Sequence, residues 1–136
     1  MRILVDTSVW SLALRKKDRN ISEDKIIENF TEIIRNLDLV IIGPIRQEIL
    51  SGISEKEGFE ELRDRISIFE DYKIDTQDYV LAASLYNQCR KKGIQGSHID
   101  YLICAVSLNN QFSILTLDKD FDNYKKIVPI KLAEIG

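Results

Sequence analysis

Short apolar runs rich in β-branched residues alternate along this chain with segments whose apolar residues recur every three or four positions. The runs at 2–5, 39–42 and 113–117 predict buried strands of a parallel sheet. Two further runs, Tyr72 to Ile74 and Val128 to Ile130, indicate shorter strands, the second at a sheet edge where its proline is tolerated. Strands and helices therefore alternate from end to end, which predicts an α/β fold with a mainly parallel central sheet.

Capping residues indicate where the helices between these strands begin. The predicted N-caps are Thr7 or Ser8, Ser22, Ser54, Asp75 and Ser97. Ser54 also opens a sequence with the form of a capping box, which ends at Glu57. Another helix is expected to start at Pro44, and Gly93 marks the end of the helix that follows Asp75.

The composition fits one globular domain that spans residues 1–136. Hydrophobic residues make up 44% of the chain and charged residues 30%, so a packed core is expected rather than disorder. No apolar run approaches the ~20 residues of a membrane-spanning helix, and the N-terminus lacks the pattern of a signal peptide. We therefore expect a soluble, cytoplasmic protein in which Cys89 and Cys104 are reduced core cysteines.

Four carboxylates stand beside apolar runs, where secondary-structure elements begin or end. Asp6 follows the first strand, Glu48 lies in the helix after the second, Asp100 opens a helix, and Asp118 follows the third strand. Carboxylates avoid such neighbours unless they are paired or bind a metal. Because ligands of parallel α/β sheets bind at the carboxyl ends of the strands, we expect these four side chains to converge there.

A cluster of four carboxylates indicates a divalent cation, since some of the acids would otherwise be protonated. Oxygen ligands favour Mg²⁺ or Mn²⁺ over zinc, and such a cation can activate water for attack on a phosphodiester. The net charge of −3 argues against a nucleic-acid partner, but neutralising four acids changes it to +1. Two simpler interpretations stay open, because Asp6 would also cap a helix and Glu48 would also be a solvated helix residue.

Four segments, taken in order, resemble the motifs of the PIN-domain family and, within it, those of the VapC-type ribonuclease toxins. They run from Leu4 to Trp10, from Ile45 to Gly52, from Gly93 to Ala105 and from Leu115 to Phe121. Each segment alone has little specificity. In this order and spacing they cover nearly the whole chain.

This resemblance implies a three-layer α/β/α fold and a Mg²⁺- or Mn²⁺-dependent endoribonuclease that often forms homodimers. It also implies a VapB-type antitoxin as the partner and RNA as the substrate. Carried over by position, the catalytic acids are Asp6, Glu48, Asp100 and Asp118, and three of them, Asp6, Asp100 and Asp118, would hold the metal. The residues that would orient these carboxylates or their water are Thr7, Thr116 and Asp120.

Basic residues near the acids are candidates for contact with the RNA backbone. They are Arg15, Lys16 and Lys17, in the loop after the first helix, and Arg46, one turn from the acids. His98, the single histidine, is interpreted as an exposed residue of a first helical turn. Tyr101 is a candidate for stacking on the substrate.

Three other functions compete with this interpretation. A receiver-like phosphotransfer domain also uses an acidic Mg²⁺ pocket, but it would need paired acids after the first strand, where Asp6 stands alone. A PIN-domain nuclease of RNA processing and a non-catalytic PIN binding module both stay open. The short chain favours a toxin over the former, and four intact acids argue against the latter.

Overall fold

The computed structural model describes residues 1–15 and 18–134. Its strands are β1 (Ile3–Val5), β2 (Leu39–Val40) and β3 (Ser113–Leu115). Its helices are α1 (Thr7–Leu14), α2 (Ile21–Arg35), α3 (Gly43–Ser51), α4 (Lys56–Ile66), α5 (Thr76–Lys91), α6 (His98–Asn110) and α7 (Asp120–Lys125). The predicted α/β fold class is thereby confirmed, although the four helices α3 to α6 follow one another between β2 and β3.

The three strands form a parallel sheet in the order β2-β1-β3. Leu4 at the centre of β1 pairs with Val40 on one side and with Ile114 on the other. A single parallel bridge extends each edge, from Ile41 to Asp71 and from Ile114 to Leu132. Helices cover both faces, so the protein has the predicted three-layer α/β/α architecture.

The two short edge strands were predicted near the pairing segments but not on them. At one edge the bridge falls on Asp71, and in the predicted strand at 72–74 the amide of Tyr72 donates to the carbonyl of Ile41 at 2.7 Å. At the other, the amide of Ile114 donates to the carbonyl of Lys131, beyond the predicted strand at 128–130. Val128 and Ile130 are apolar because they are buried in the core, not because they pair with β3. Apolar character alone does not distinguish a segment that is buried in the core from one that pairs as an edge strand.

The helix caps show which local predictions hold. Asp75 and Ser97 are N-caps, and each accepts a hydrogen bond from a backbone amide, as predicted. α2 begins two residues earlier than Ser22 suggests, because Asn20 and Glu23 form a capping box. α4 has Glu55 as its N-cap residue, without a side-chain hydrogen bond, so the capping box predicted at Ser54 is wrong.

α6 is the most deeply buried helix of the described chain. Every residue from Tyr101 to Ser107 is buried, and the helix packs along α5 and against β3. Buried Asp78 on α5 accepts a hydrogen bond from Asn109 of α6 at 2.9 Å, which fixes the two helices in register. Asp100, in the first turn of α6, is therefore attached to a rigid element.

The remaining core confirms the expectation for the two cysteines and contains an aromatic cluster around Trp10. Cys89 and Cys104 are both buried and free. Trp10 is buried and meets the rings of Phe30 and Phe69 edge to face, at 4.8 and 5.7 Å between centroids. Within the described ranges, the helices are all too short or too polar to serve as a bilayer span.

Candidate metal centre

β1 and β3 are neighbours in the parallel sheet, so the residues after them meet at one edge. The amide of Asp6 continues the pairing and donates to the carbonyl of Leu115 at 2.9 Å. Asp6 is only 6% exposed and occupies the N-cap position of α1. Asp118 comes three residues after the end of β3 and is half-buried. The topology thus places both acids at the carboxyl edge of the sheet.

Two hydroxyl groups hold the Asp6 carboxylate. Ser8 and Thr116 each donate to its Oδ2 at 2.8 Å. The same hydroxyls accept hydrogen bonds from backbone amides at 3.0 Å, Ser8 from Leu117 and Thr116 from Asp118. This network ties the start of α1 to the loop after β3 and leaves the Asp6 side chain little freedom to rotate.

Three carboxylates form the closest acidic group of the described residues. Asp100, Asp118 and Asp120 each contribute an oxygen, and these oxygens lie within 4.8 Å of one another. Asp100 is oriented by Ser97, whose hydroxyl accepts from the Asp100 amide at 3.1 Å. Asp118 accepts from the Asp120 amide at 2.9 Å, which curls the chain so that both side chains reach the group.

The electrostatics of this group favour a cation. Burial raises the pKa of the Asp100 carboxyl, and the charges of Asp6 and Asp118 raise it further. A hydrogen bond from the Tyr124 hydroxyl, at 2.6 Å, opposes these effects. Asp6 is therefore close enough to influence Asp100, although it is not a member of the three-carboxylate group. A divalent cation would remove the repulsion, and the all-oxygen donors fit Mg²⁺ or Mn²⁺.

Asp120 and Glu48 occupy different positions from those implied by the motifs. Asp120 belongs to the carboxylate group itself, whereas it was expected to orient other ligands. Glu48 is exposed on α3 and lies outside the group. Its Oε1 accepts from the Thr7 hydroxyl at 2.9 Å, which holds it beside the start of α1. The catalytic assignment of Glu48 stays a prediction.

The predicted RNA-contact residues are only partly described. Lys16 and Lys17 lie outside the described residues. Arg15 forms an ion pair with Glu23 at 2.5 Å. Arg46 turns away from the acids: its Nε donates to Asp71 at 2.9 Å, and its other nitrogens donate to the carbonyls of Ile66 and Phe69. These contacts give Arg46 a structural role and lend no support to RNA contact.

Two residues next to Asp100 have different surroundings. His98 is exposed, as expected, and its ring stacks on Tyr86 at 4.8 Å between centroids. Tyr101 is 1% exposed, so it cannot stack on a substrate. The motif position suggested an accessible ring, but the side chain points into the core behind α6.

The motifs missed two residues that contact the acids, Ser8 and Tyr124. Ser8 could have been found, because a hydroxyl two residues after a strand-end Asp is well placed to bond it. Tyr124 carried no such signal, since it lies 24 positions from Asp100 and reads as an apolar position of α7.

The PIN domain profile matches residues 3–127 of this chain. The chain belongs to the PIN-domain family. The match covers both strand ends at the acidic edge and all of the helices described above.

Solved structures with the same fold span nearly the full length of this PIN domain. FitAcB from Neisseria gonorrhoeae has 17% sequence identity and a TM-score of 0.77, over 97% of this chain and 96% of that chain. VapBC2 from Rickettsia felis, bound to a DNA fragment from its promoter, has 18% identity and a TM-score of 0.75, over 98% of each chain. DNA-bound VapBC from Salmonella typhimurium has 16% identity and a TM-score of 0.77, over 100% and 99%. No curated protein sequence matches the chain.

Proposed function

We propose that this protein is a metal-dependent endoribonuclease that acts in the cytoplasm as the toxin of a VapBC-type toxin–antitoxin pair. We also propose that its one PIN domain spans residues 1–136. The observation that carries the proposal is the convergence of Asp100, Asp118 and Asp120 within 4.8 Å, beside the buried Asp6. PIN domains are nucleases that use divalent metals, which supports phosphodiester hydrolysis at this group.

The acids divide into those that would hold a cation and one that would not. Asp100, Asp118 and Asp120 would hold Mg²⁺ or Mn²⁺, with Asp6 completing the site from the end of β1. When bound, such a cation supplies Lewis-acid polarisation of the phosphate and lowers the pKa of water. Glu48 is exposed and lies outside the group, and we assign it the role of the general base that accepts a proton from water.

Hydroxyl groups of this chain would orient the acids. Ser8 and Thr116 fix Asp6 through one oxygen, and Thr7 fixes Glu48. Because such partners limit rotation of a ligand, they preserve the geometry of the site between turnovers. The RNA backbone would be attracted by Arg15, Lys16 and Lys17, which follow α1 in the sequence.

A VapB-type antitoxin is the proposed protein partner, and the toxin is proposed to form a homodimer. The structural relatives named above are VapBC and Fit complexes, which supports an antitoxin. A groove of about 320 Å³ runs between α1, α2 and α4, and its lining is mainly apolar. Trp10, Ile27 and Leu62 line its interior and Thr31 lies on its rim. The apolar face of a partner helix would fit such a groove.

RNA cleavage by the purified, antitoxin-free protein tests the proposal. Total cellular RNA is incubated with Mg²⁺, with Mn²⁺ or with EDTA, and the products are mapped at their ends. We expect internal cuts that require the metal and that disappear in Asp100→Asn. Asp64→Asn is the matched control, because Asp64 is exposed on α4 and pairs with its neighbour Arg63.

Three results would contradict the assignment or part of it. Cleavage that persists in EDTA would exclude metal dependence. Folded wild-type protein that leaves total RNA intact with either metal would favour a non-catalytic binding module. Equal cleavage by wild type and Asp100→Asn would remove Asp100 from the site.

A further inference from the structure

Tyr124 is a buried tyrosine whose hydroxyl reaches the acidic group from the core. The residue is 0% exposed and lies on α7. Its ring packs against Tyr101 at 4.9 Å and against Phe121 at 5.2 Å between centroids. The hydroxyl donates to Oδ2 of Asp100 at 2.6 Å, a short distance for a hydrogen bond to a carboxylate. Packing on the ring therefore fixes where this donor points.

The loop before α6 leaves space for this contact. A Cβ atom at Gly96 would lie 2.3 Å from the Tyr124 hydroxyl and 2.7 Å from two carbons of its ring. Side chains do not approach one another so closely, so any residue but glycine at 96 would force the ring or the loop to move and would disturb their contact. Glycine at position 96 therefore allows the Tyr124 hydroxyl to reach Asp100.

The tyrosine and Ser97 act on Asp100 in different ways. Ser97 accepts from the backbone amide of Asp100 and so fixes the start of α6, and its hydroxyl is also a weaker influence that lowers the pKa of the Asp100 carboxyl. Tyr124 contacts the carboxylate itself. Of the other members of the group, Asp118 lies just before α7 and Asp120 is the first residue of α7, the helix that carries Tyr124. One short segment thus supplies two of the carboxylates and the donor that orients the third.

We propose that Tyr124 is a positioning residue that holds the Asp100 carboxylate in a fixed orientation toward Asp118 and Asp120. This inference rests on the proposed function, in which these acids hold a divalent cation. Partners of ligating side chains typically contribute roughly 10- to 100-fold to metal affinity or activity. The hydroxyl of Tyr124, rather than its ring, carries the effect.

The test compares two buried tyrosines that each lose only a hydroxyl. Tyr124→Phe removes the donor to Asp100. Tyr101→Phe is the matched control, because Tyr101 is equally buried and neighbours Asp100, yet its hydroxyl lies beside Cys89 and makes no hydrogen bond to an acid of the described residues. Mn²⁺ affinity is measured by calorimetry on metal-free protein, alongside kcat for RNA cleavage at saturating Mn²⁺ and the Tm of the metal-free form.

We expect Tyr124→Phe to raise the dissociation constant for Mn²⁺ by roughly 10- to 100-fold, or to lower kcat by a similar factor. A cooperative unfolding transition should be retained in this variant. Tyr101→Phe should leave both quantities at the wild-type values. Gly96→Ala keeps the hydroxyl but forces the ring or the loop before α6 to move, so it should weaken Mn²⁺ binding in the same direction as Tyr124→Phe.

The outcomes separate this inference from the proposed function. Wild-type Mn²⁺ affinity and kcat in Tyr124→Phe would overturn the positioning role and leave the nuclease proposal intact. Equal losses in Tyr124→Phe and Tyr101→Phe would overturn it as well, because packing rather than the hydrogen bond would then be responsible. If wild-type protein and Asp100→Asn bind Mn²⁺ equally, the proposed function and this inference both fail.

Discussion

At the scale of single residues, the candidate metal centre of this PIN domain is a set of acidic side chains that the fold keeps close together although their charges repel. Asp100 shows this most clearly, because burial and the charges of Asp6 and Asp118 raise its pKa. The ionised form of Asp100 is therefore less favourable in the folded, metal-free protein than in the unfolded chain. The fold tolerates this cost at a position where a bound cation would reverse it.

The raised pKa of Asp100 predicts how the stability of the metal-free protein depends on pH. An acid with a raised pKa in the folded state contributes most stability below its unfolded pKa, and this contribution is lost as pH rises through the folded pKa. The asparagine in Asp100→Asn cannot ionise, so this variant does not lose stability at position 100 as the pH rises. We expect the Tm of Asp100→Asn to exceed that of wild type in EDTA at pH 8, with a smaller difference at pH 4.

At pH 8, saturating Mn²⁺ should make the Tm of wild type higher than that of Asp100→Asn. Only wild type keeps all of the carboxylates that bind the cation, so it gains more stability from Mn²⁺ binding. The measurement is thermal unfolding of both proteins across this pH range, with EDTA and with Mn²⁺. An Asp100→Asn variant that is less stable than wild type in EDTA at pH 8 would contradict the sign of this prediction.

Ser8 gives a second prediction at this scale. Its hydroxyl donates to Asp6 and accepts from the Leu117 amide, so alanine would break one part-buried and one exposed hydrogen bond. We expect Ser8→Ala to lower the free energy of unfolding by about 1–3 kcal/mol and to weaken Mn²⁺ binding. Ser11→Ala, at an exposed position of the same helix, is the control and should change neither quantity. Urea unfolding measures the free energy of unfolding, and Mn²⁺ titration measures the affinity for the cation.

These residues also show what the sequence could and could not predict about the site. Asp6 and Asp118 were predictable, because acids at the ends of adjacent parallel strands share an edge. The membership of Asp120 depends on the turn after Asp118, which no periodic pattern encodes. The contact from Tyr124 depends on the packing of α7 and on the space at Gly96, both of which are properties of the folded chain.

At the scale of secondary-structure elements, strong patterns predicted the structure well and weak ones did not. The buried strand β1 and the helical period of α2 were both predicted from long or fully apolar patterns. Single polar residues were less informative. Ser22 and Asn20 are equally good N-caps by type, and only the reciprocal bond of Glu23 selects Asn20.

Arg46 was predicted from the sequence to contact the RNA substrate, but in the structure its contacts hold secondary-structure elements together. Its guanidinium joins α3 to the end of α4 and to Asp71, through one ion pair and two backbone carbonyls. A planar group with several fixed donors suits this position. Positive charge near an acidic site is therefore insufficient evidence for RNA contact, since the same charge also serves the fold.

The structural role of Arg46 gives a prediction that separates it from an RNA-contact role. We expect Arg46→Ala to lower the free energy of unfolding by about 1–3 kcal/mol, because two part-buried carbonyls and Asp71 lose their donor. The KM for RNA should stay unchanged. Arg63→Ala is the control, because Arg63 forms only an exposed ion pair with adjacent Asp64, and about 0–1 kcal/mol is expected there. A raised KM with wild-type stability in Arg46→Ala would instead restore the RNA-contact prediction.

At the scale of the whole molecule, the acidic edge and the apolar groove are separate features that share α1. α1 begins at Asp6, beside the carboxylate group, and its buried Trp10 lines the groove between α1, α2 and α4. A partner helix in the groove would thus lie against the element that starts at the acidic edge. Such a partner could reduce cleavage without providing any ligand to the metal.

Binding of the proposed antitoxin in this groove predicts a selective loss of affinity when the rim of the groove is changed. Thr31 is exposed on α2 at the edge of the groove, so Thr31→Lys should place a charge against an apolar partner without disturbing the fold. We expect the antitoxin to bind this variant about tenfold more weakly or worse, which corresponds to roughly 1.4 kcal/mol or more. Glu32→Lys is the control, because Glu32 is exposed on the same helix and does not line the groove.

The measurement is calorimetric titration of each toxin variant with antitoxin, followed by RNA cleavage at matched concentrations. Both variants should cleave RNA like wild type when no antitoxin is present, because neither residue contacts the acids. With antitoxin added, only Thr31→Lys should retain cleavage. Equal affinity of the two variants for antitoxin would place the partner elsewhere. Loss of cleavage by free Thr31→Lys would mean that the groove and the acidic edge are coupled through α1.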